Sequence, residues 1–92
     1  MAIKIFNPTE TDYEGGTGDD LIFGNNLDNF ITDLGGNNLI FAGGGNDTII
    51  TSDGHDVIFG GDGNDVIVAG NGNNIVFGGN GDDFIITGDD ID

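Results

Sequence analysis

An oxygen-bearing side chain recurs every nine residues along this chain, at Asp20, Asn29, Asn38, Asp47, Asp56, Asp65, Asn74 and Asp83. Each closes a glycine-rich turn, as in Gly60-Gly61-Asp62-Gly63-Asn64-Asp65, and is followed by a mostly apolar triplet, here Val66-Ile67-Val68. Asp and Asn supply oxygen and accept turn geometry. Glycine lets the backbone bend tightly and come close to an ion. Oxygen donors at a fixed spacing on such a backbone suit a hard cation. The charge agrees: 17 acidic side chains stand against one basic residue, Lys4, for a net charge of -16. Such a chain is not expected to partner nucleic acid or to insert into a membrane, and metal cations are its natural counter-ions. There is no cysteine, which excludes disulfides, thiolate metal sites and thiol nucleophiles. The single His55 argues against a transition-metal cluster. Catalysis is not expected. Ser52 and His55 share a loop, but no third group orients the histidine, and flat repeat edges offer no pocket.

The elements that position these side chains follow from the same period. From Gly15 to Ile86 the chain divides, without insertion or deletion, into eight nonapeptides: GGTGDDLIF, GNNLDNFIT, DLGGNNLIF, AGGGNDTII, TSDGHDVIF, GGDGNDVIV, AGNGNNIVF and GGNGDDFII. A shortened ninth, TGDDID, reaches Asp92. Place four is Gly in all but one (Leu27), place six is Asp or Asn throughout, and place eight is Ile except at Val76. Places seven to nine are rich in β-branched and aromatic residues, which suit a strand. If place eight points inward, places seven and nine point outward. One turn and one strand make half a coil. Two nonapeptides therefore make an 18-residue coil with one strand in each of two parallel sheets, and coils stack at the strand spacing of ~4.8 Å. The expected fold class is all-β, a flattened two-sheet parallel β-solenoid over residues 15–92. Residues 1–14 read as an N-terminal lead-in strand or cap, with Asn7-Pro8 breaking the strand and Tyr13 in phase with the inward place. No apolar run approaches the ~18 residues of a membrane span. The opening MAIKIFNPTE lacks the apolar region of a cleavable signal peptide, and its Met1 start suggests a complete small protein.

These nonapeptides resemble the repeats-in-toxin (RTX, haemolysin-type) calcium-binding repeat, G-G-x-G-x-D-x-U-x. GGDGNDVIV and GGNGDDFII match it at every fixed place. The resemblance implies a parallel β-roll holding several Ca2+ ions between successive loops on one edge, and export by a type I system to fold outside the cell. Place-six side chains are then the ligands. The even edge carries Asn29, Asp47, Asp65 and Asp83; the odd edge carries Asp20, Asn38, Asp56 and Asn74, with Asp92 next in phase. Early-loop carbonyls complete the shell, with candidates at Gly43, Gly44, Gly60, Asp62, Gly78 and Asn80 on the even edge and at Thr51, Asp53, Ala69 and Asn71 on the odd edge. Asp47 with Asp65 and Asp65 with Asp83 are the charge-rich pairs, so the even edge is expected to fill first. Asn25 and Leu27 in GNNLDNFIT, and Asp33 and Leu34 in DLGGNNLIF, depart from the pattern and weaken the loops nearest the N-terminus.

The outward places are unusually apolar. Phe23, Phe41, Phe59 and Phe77 recur at place nine of the odd sheet, beside Leu21, Leu39, Val57 and Ile75. Soluble monomers rarely expose such a strip, so homo-oligomers or fibres through the sheet faces are expected. Asp89, Asp90 and Asp92 suggest a second contact, completing a calcium site with the next molecule at the open roll end. The expected function is an extracellular, calcium-folded structural protein. The alternative is a folding and secretion module of a larger type I-secreted protease, lipase or toxin. Ice binding ranks lower, because place three carries no threonine ladder.

Overall fold

The computed structural model describes residues 2–88. They form ten short strands: β1 (Ala2–Ile5), β2 (Asp12–Gly15), β3 (Asp20–Phe23), β4 (Phe30–Asp33), β5 (Leu39–Phe41), β6 (Thr48–Ile50), β7 (Val57–Phe59), β8 (Val66–Val68), β9 (Ile75–Phe77) and β10 (Phe84–Ile86). Odd-numbered strands make one sheet in the order β1-β3-β5-β7-β9, and even-numbered strands make the other, β2-β4-β6-β8-β10. Every pairing is parallel and joins like places, as Ile40 with Ile58 and Ile49 with Ile67. The two sheets lie face to face in a slab of 32 × 29 × 13 Å. This is the expected parallel β-solenoid.

The core is one layer thick. Ile22, Ile31, Ile40, Ile49, Ile58 and Ile67, all at place eight, have no exposed surface. Place one, where the chain leaves a strand, also turns inward. It buries Phe6, Ala42 and Ala69, and with them the polar Asp33 and Thr51. The repeat pattern hides this second row because its occupants share no chemistry.

The lead-in makes a coil of its own: β1 pairs with β3 and β2 with β4. Tyr13 faces Ile31 in register, as its phase predicts. In β1, Ile3 and Ile5 point outward, 65% and 67% exposed, and Lys4 takes the inward place opposite Ile22. Its ammonium meets the Glu10 carboxylate at 2.6 Å and lies 5.7 and 5.6 Å from the ring centres of Phe6 and Tyr13. An inward charge on an outermost strand discourages a further strand from adding there.

On the outer face of the odd sheet, Phe23, Phe41, Phe59 and Phe77 stack in one column. Successive ring centres lie 5.2, 4.8 and 4.9 Å apart and the planes are within 9° of parallel. The strand spacing sets this distance. Asp89, Asp90 and Asp92, expected at the roll end, lie outside the described residues.

Candidate metal centre

Parallel stacking with a period of 18 residues puts like places of alternate loops on one edge. The place-six side chains of Asp20, Asn38, Asp47, Asp56, Asp65, Asn74 and Asp83 are each held by the coil before. On the even edge the N–H groups of Asn29, Asp47 and Asp65 donate to Oδ1 of Asp47, Asp65 and Asp83 at 2.8–2.9 Å. On the odd edge Ala2, Asp20, Asn38 and Asp56 donate to Oδ1 of Asp20, Asn38, Asp56 and Asn74 at 2.8–3.0 Å. The structure thus brings the predicted place-six residues into two continuous columns. Asp47, Asp56 and Asp65 are each 1% exposed.

One oxygen of each carboxylate is used in this way. The other is not: Oδ2 of Asp20, Asp47, Asp56 and Asp65 is buried and meets no hydrogen-bond donor among the described residues. A buried carboxylate oxygen without a partner is costly. The loop around it is shaped to leave room. A side chain at Gly60 would come within 2.6 Å of Asp65 Oδ2. Gly61 and Gly63, at φ of 86° and 104°, let the loop close directly over the carbonyls of Gly43 and Gly45. Among the described residues no three acidic or histidine side chains converge. A cation here draws on paired coils for carboxylates and on the loop backbone for the rest. The profile of the RTX calcium-binding nonapeptide repeat, in four copies, matches residues 13–32, 23–58 and 59–92.

The chain belongs to the RTX calcium-binding nonapeptide repeat family. No curated protein and no solved structure matches it. Calcium fits the RTX edges on chemistry: unpaired carboxylate oxygens, glycine cradles and backbone carbonyls make an all-oxygen donor set. Asp47, Asp65 and Asp83 would hold it on the even edge, and Asp20 and Asp56 on the odd edge. Of the carbonyl candidates, Gly60, Thr51 and Ala69 are buried, Gly43, Gly44 and Gly78 are half-buried, and Asp53, Asp62, Asn71 and Asn80 stand exposed.

The asparagines at place six behave differently. At Asn38 and Asn74 the oxygen accepts the N–H of the preceding coil, which leaves the amide nitrogen to face the loop, whereas Asn29 Oδ1 accepts the Asn25 N–H of its own loop at 3.3 Å. Asn74 Nδ2 donates to the Gly70 carbonyl at 2.8 Å, and Asn38 Nδ2 lies 3.3 and 3.4 Å from the carbonyls of Gly35 and Gly36. Asn29 Nδ2 donates to Asn25 Oδ1 at 2.9 Å. Each amide occupies, with its own N–H, acceptors that a cation would otherwise claim. Asn25, an oddity in the sequence, reaches back to the carbonyls of Asn7 and Glu10, both at 2.7 Å, and ties the first even loop to the lead-in coil.

A second ladder at place five escaped sequence reasoning. Side chains of Asp19, Asp28, Asn37, Asn46, His55 and Asn64 accept from the backbone N–H of Asn37, Asn46, His55, Asn64, Asn73 and Asp82 at 2.7–2.8 Å. It runs opposite to the first: place six bonds the coil before, and place five the coil after. The signal was present, since every place-five residue carries an acceptor. His55 belongs to this ladder through Nδ1, which accepts the Asn73 N–H.

Burial lifts the carboxyl of Asp47 to about 7, helped by the Asp65 and Asp28 charges, and that of Asp65 to about 6, helped by Asp83. Burial also raises Asp56, against the N–H bond it accepts from Asn38. A carboxyl raised in the folded state binds its proton more tightly there than in the unfolded chain. The penalty for folding is therefore absent below the ordinary carboxylate value of 3.8, grows as pH rises from there to 6 to 7, and is constant above that. In metal-free buffer, lowering the pH from about 8 to about 5 should increase β structure, read by circular dichroism. With calcium present the trend should reverse, because protons compete for the ligands.

Proposed function

We propose that this RTX roll is an extracellular protein that folds when calcium binds and then associates with further copies of itself through its apolar faces. The observation that carries the first part is the presence of buried, donorless Oδ2 atoms at Asp47 and Asp65 on one edge and at Asp56 on the other. A folded roll at neutral pH needs a positive charge beside them. RTX repeats are typical of type I-secreted extracellular proteins, where calcium is plentiful, and this supports the location. The same family background favours a second reading, a calcium-dependent folding module within a larger secreted protein.

The apolar faces support self-association. Phe77 is 51%, Phe84 60% and Ile75 52% exposed, in continuous rows too apolar for an ordinary solvent face. The faces, and not the ends, carry this part of the proposal, because the inward ammonium of Lys4 opposes a further coil against β1. Catalysis forms no part of the reading.

Sedimentation velocity tests both parts. Calcium should convert a slow, expanded chain into a compact one, and at high protein concentration into larger species. Phe59→Ser should reduce the larger species and keep the compact one. A chain whose frictional ratio ignores calcium would overturn the folding claim. A strict monomer in millimolar calcium would overturn the association.

A further inference from the structure

Asp33 stands at place one of its nonapeptide, where the family pattern has glycine. It ends β4 on the odd edge and is 2% exposed. Its Oδ1 accepts the Gly35 N–H at 3.2 Å, which closes the turn. Its Oδ2 meets no donor. Asp20 is 4% exposed, and it too spends Oδ1 on a backbone N–H and leaves Oδ2 without a donor. The two free oxygens point to one place. A Cβ added to Gly15 would lie 2.8 Å from Asp20 Oδ2 and closer still to Asp33 Oδ2. Gly15, paired with Asp33 across β2 and β4, is therefore the floor of a small acidic cradle.

Two acceptors facing each other in a buried site, with no donor between them, require either a shared proton or a cation. Asn38, the place-six residue of the same loop, brings no charge. Without Asp33 this position would have only the single carboxylate of Asp20.

We propose that Asp20 and Asp33 form a two-carboxylate calcium site between loops 15–20 and 33–38, in which place one supplies the ligand that Asn38 at place six does not. This rests on the calcium reading above. It makes the first odd-edge loop pair a strong ion site, in contrast to the weakening that its departure from the repeat suggests.

The test uses terbium(III) in place of calcium. Tyr13 is the only tyrosine and there is no tryptophan, and it lies in β2, two residues before Gly15. Terbium emission excited through Tyr13 therefore reports ions near the first coil. Asp33→Asn and Asp33→Gly, the latter restoring the family's residue, should each weaken the Tyr13-sensitised titration on the order of tenfold or abolish it. Both should keep the calcium-induced circular dichroism change, and Asp82→Asn, exposed at the far end of the even edge, should keep the Tyr13-sensitised signal and midpoint. Wild-type emission and midpoint in a folded Asp33→Asn or Asp33→Gly chain would overturn the site and leave the shared proton as the occupant. A wild-type chain that does not fold with calcium would overturn the calcium reading itself, and this site with it.

Discussion

Removing calcium with a chelator at neutral pH should reduce the far-ultraviolet spectrum of this chain to that of a disordered coil, and millimolar calcium should restore the β signature. The roll confines Asp47, Asp56 and Asp65 at 1% exposure with one oxygen each unpaired. Holding an uncompensated carboxylate out of water costs several kcal/mol per group. A core one isoleucine thick has little with which to offset that, and a chain of 92 residues without cysteine has no covalent staple. Each bound ion stabilises the folded state by about 2.7 kcal/mol when free calcium is 100 times its dissociation constant. Several sites acting together make folding steep in calcium. Magnesium at the same concentration should not substitute, because it gives up water reluctantly and demands octahedral geometry. A β spectrum that persists in chelator would refute this account.

The second large effect is at Asp65, which stands between Asp47 and Asp83 on the even edge. Asp65→Asn should raise the calcium midpoint for folding on the order of tenfold, because it removes a charged ligand from two adjacent sites. It should also make the metal-free roll easier to form. The amide keeps the acceptor for the Asp47 N–H and turns its nitrogen toward the loop, as Asn74 does toward Gly70. Asp65→Ala removes that acceptor as well and leaves the buried Asp47 N–H without a partner, at a further cost of about 1–3 kcal/mol. The two variants should thus separate charge from scaffold: the Asn variant is less calcium-dependent, and the Ala variant is less stable in any calcium. Asp62→Asn, exposed in the same loop, is the control and should change little. Equal midpoints for Asp65→Asn and Asp62→Asn would contradict the assignment.

The fold was legible because a nine-residue period leaves few alternatives. Ile at place eight gave the core, the triplets gave the strands, and alternation gave two sheets. The site was legible at place six, where one chemistry recurs. Three features were not, each for a physical reason. Place one is buried by the geometry of strand exit, and Phe6, Asp33 and Thr51 share no property that a pattern would reveal. The second amide ladder depends on which coil a side chain leans toward, which only stacking decides. In β1 the visible alternation of Ile3 and Ile5 marks the outer face, and the inward residue is the lone lysine, which Glu10 and two aromatic rings make tolerable there.

The register between coils also limits how such a chain can change length. Removing 18 residues returns every side chain to a like neighbour: phenylalanine meets phenylalanine, and each edge keeps its own ligands. Removing nine is a different event. Deleting residues 51–59 would move β8 into the odd sheet, set Val68 against Phe41 and bring Asp65 beside Asn38. The aromatic column would break, and the acidic edge would be spliced onto the amide edge at that point. The coil, and not the nonapeptide, is the heritable unit of this roll, so duplications and losses should survive in steps of two repeats.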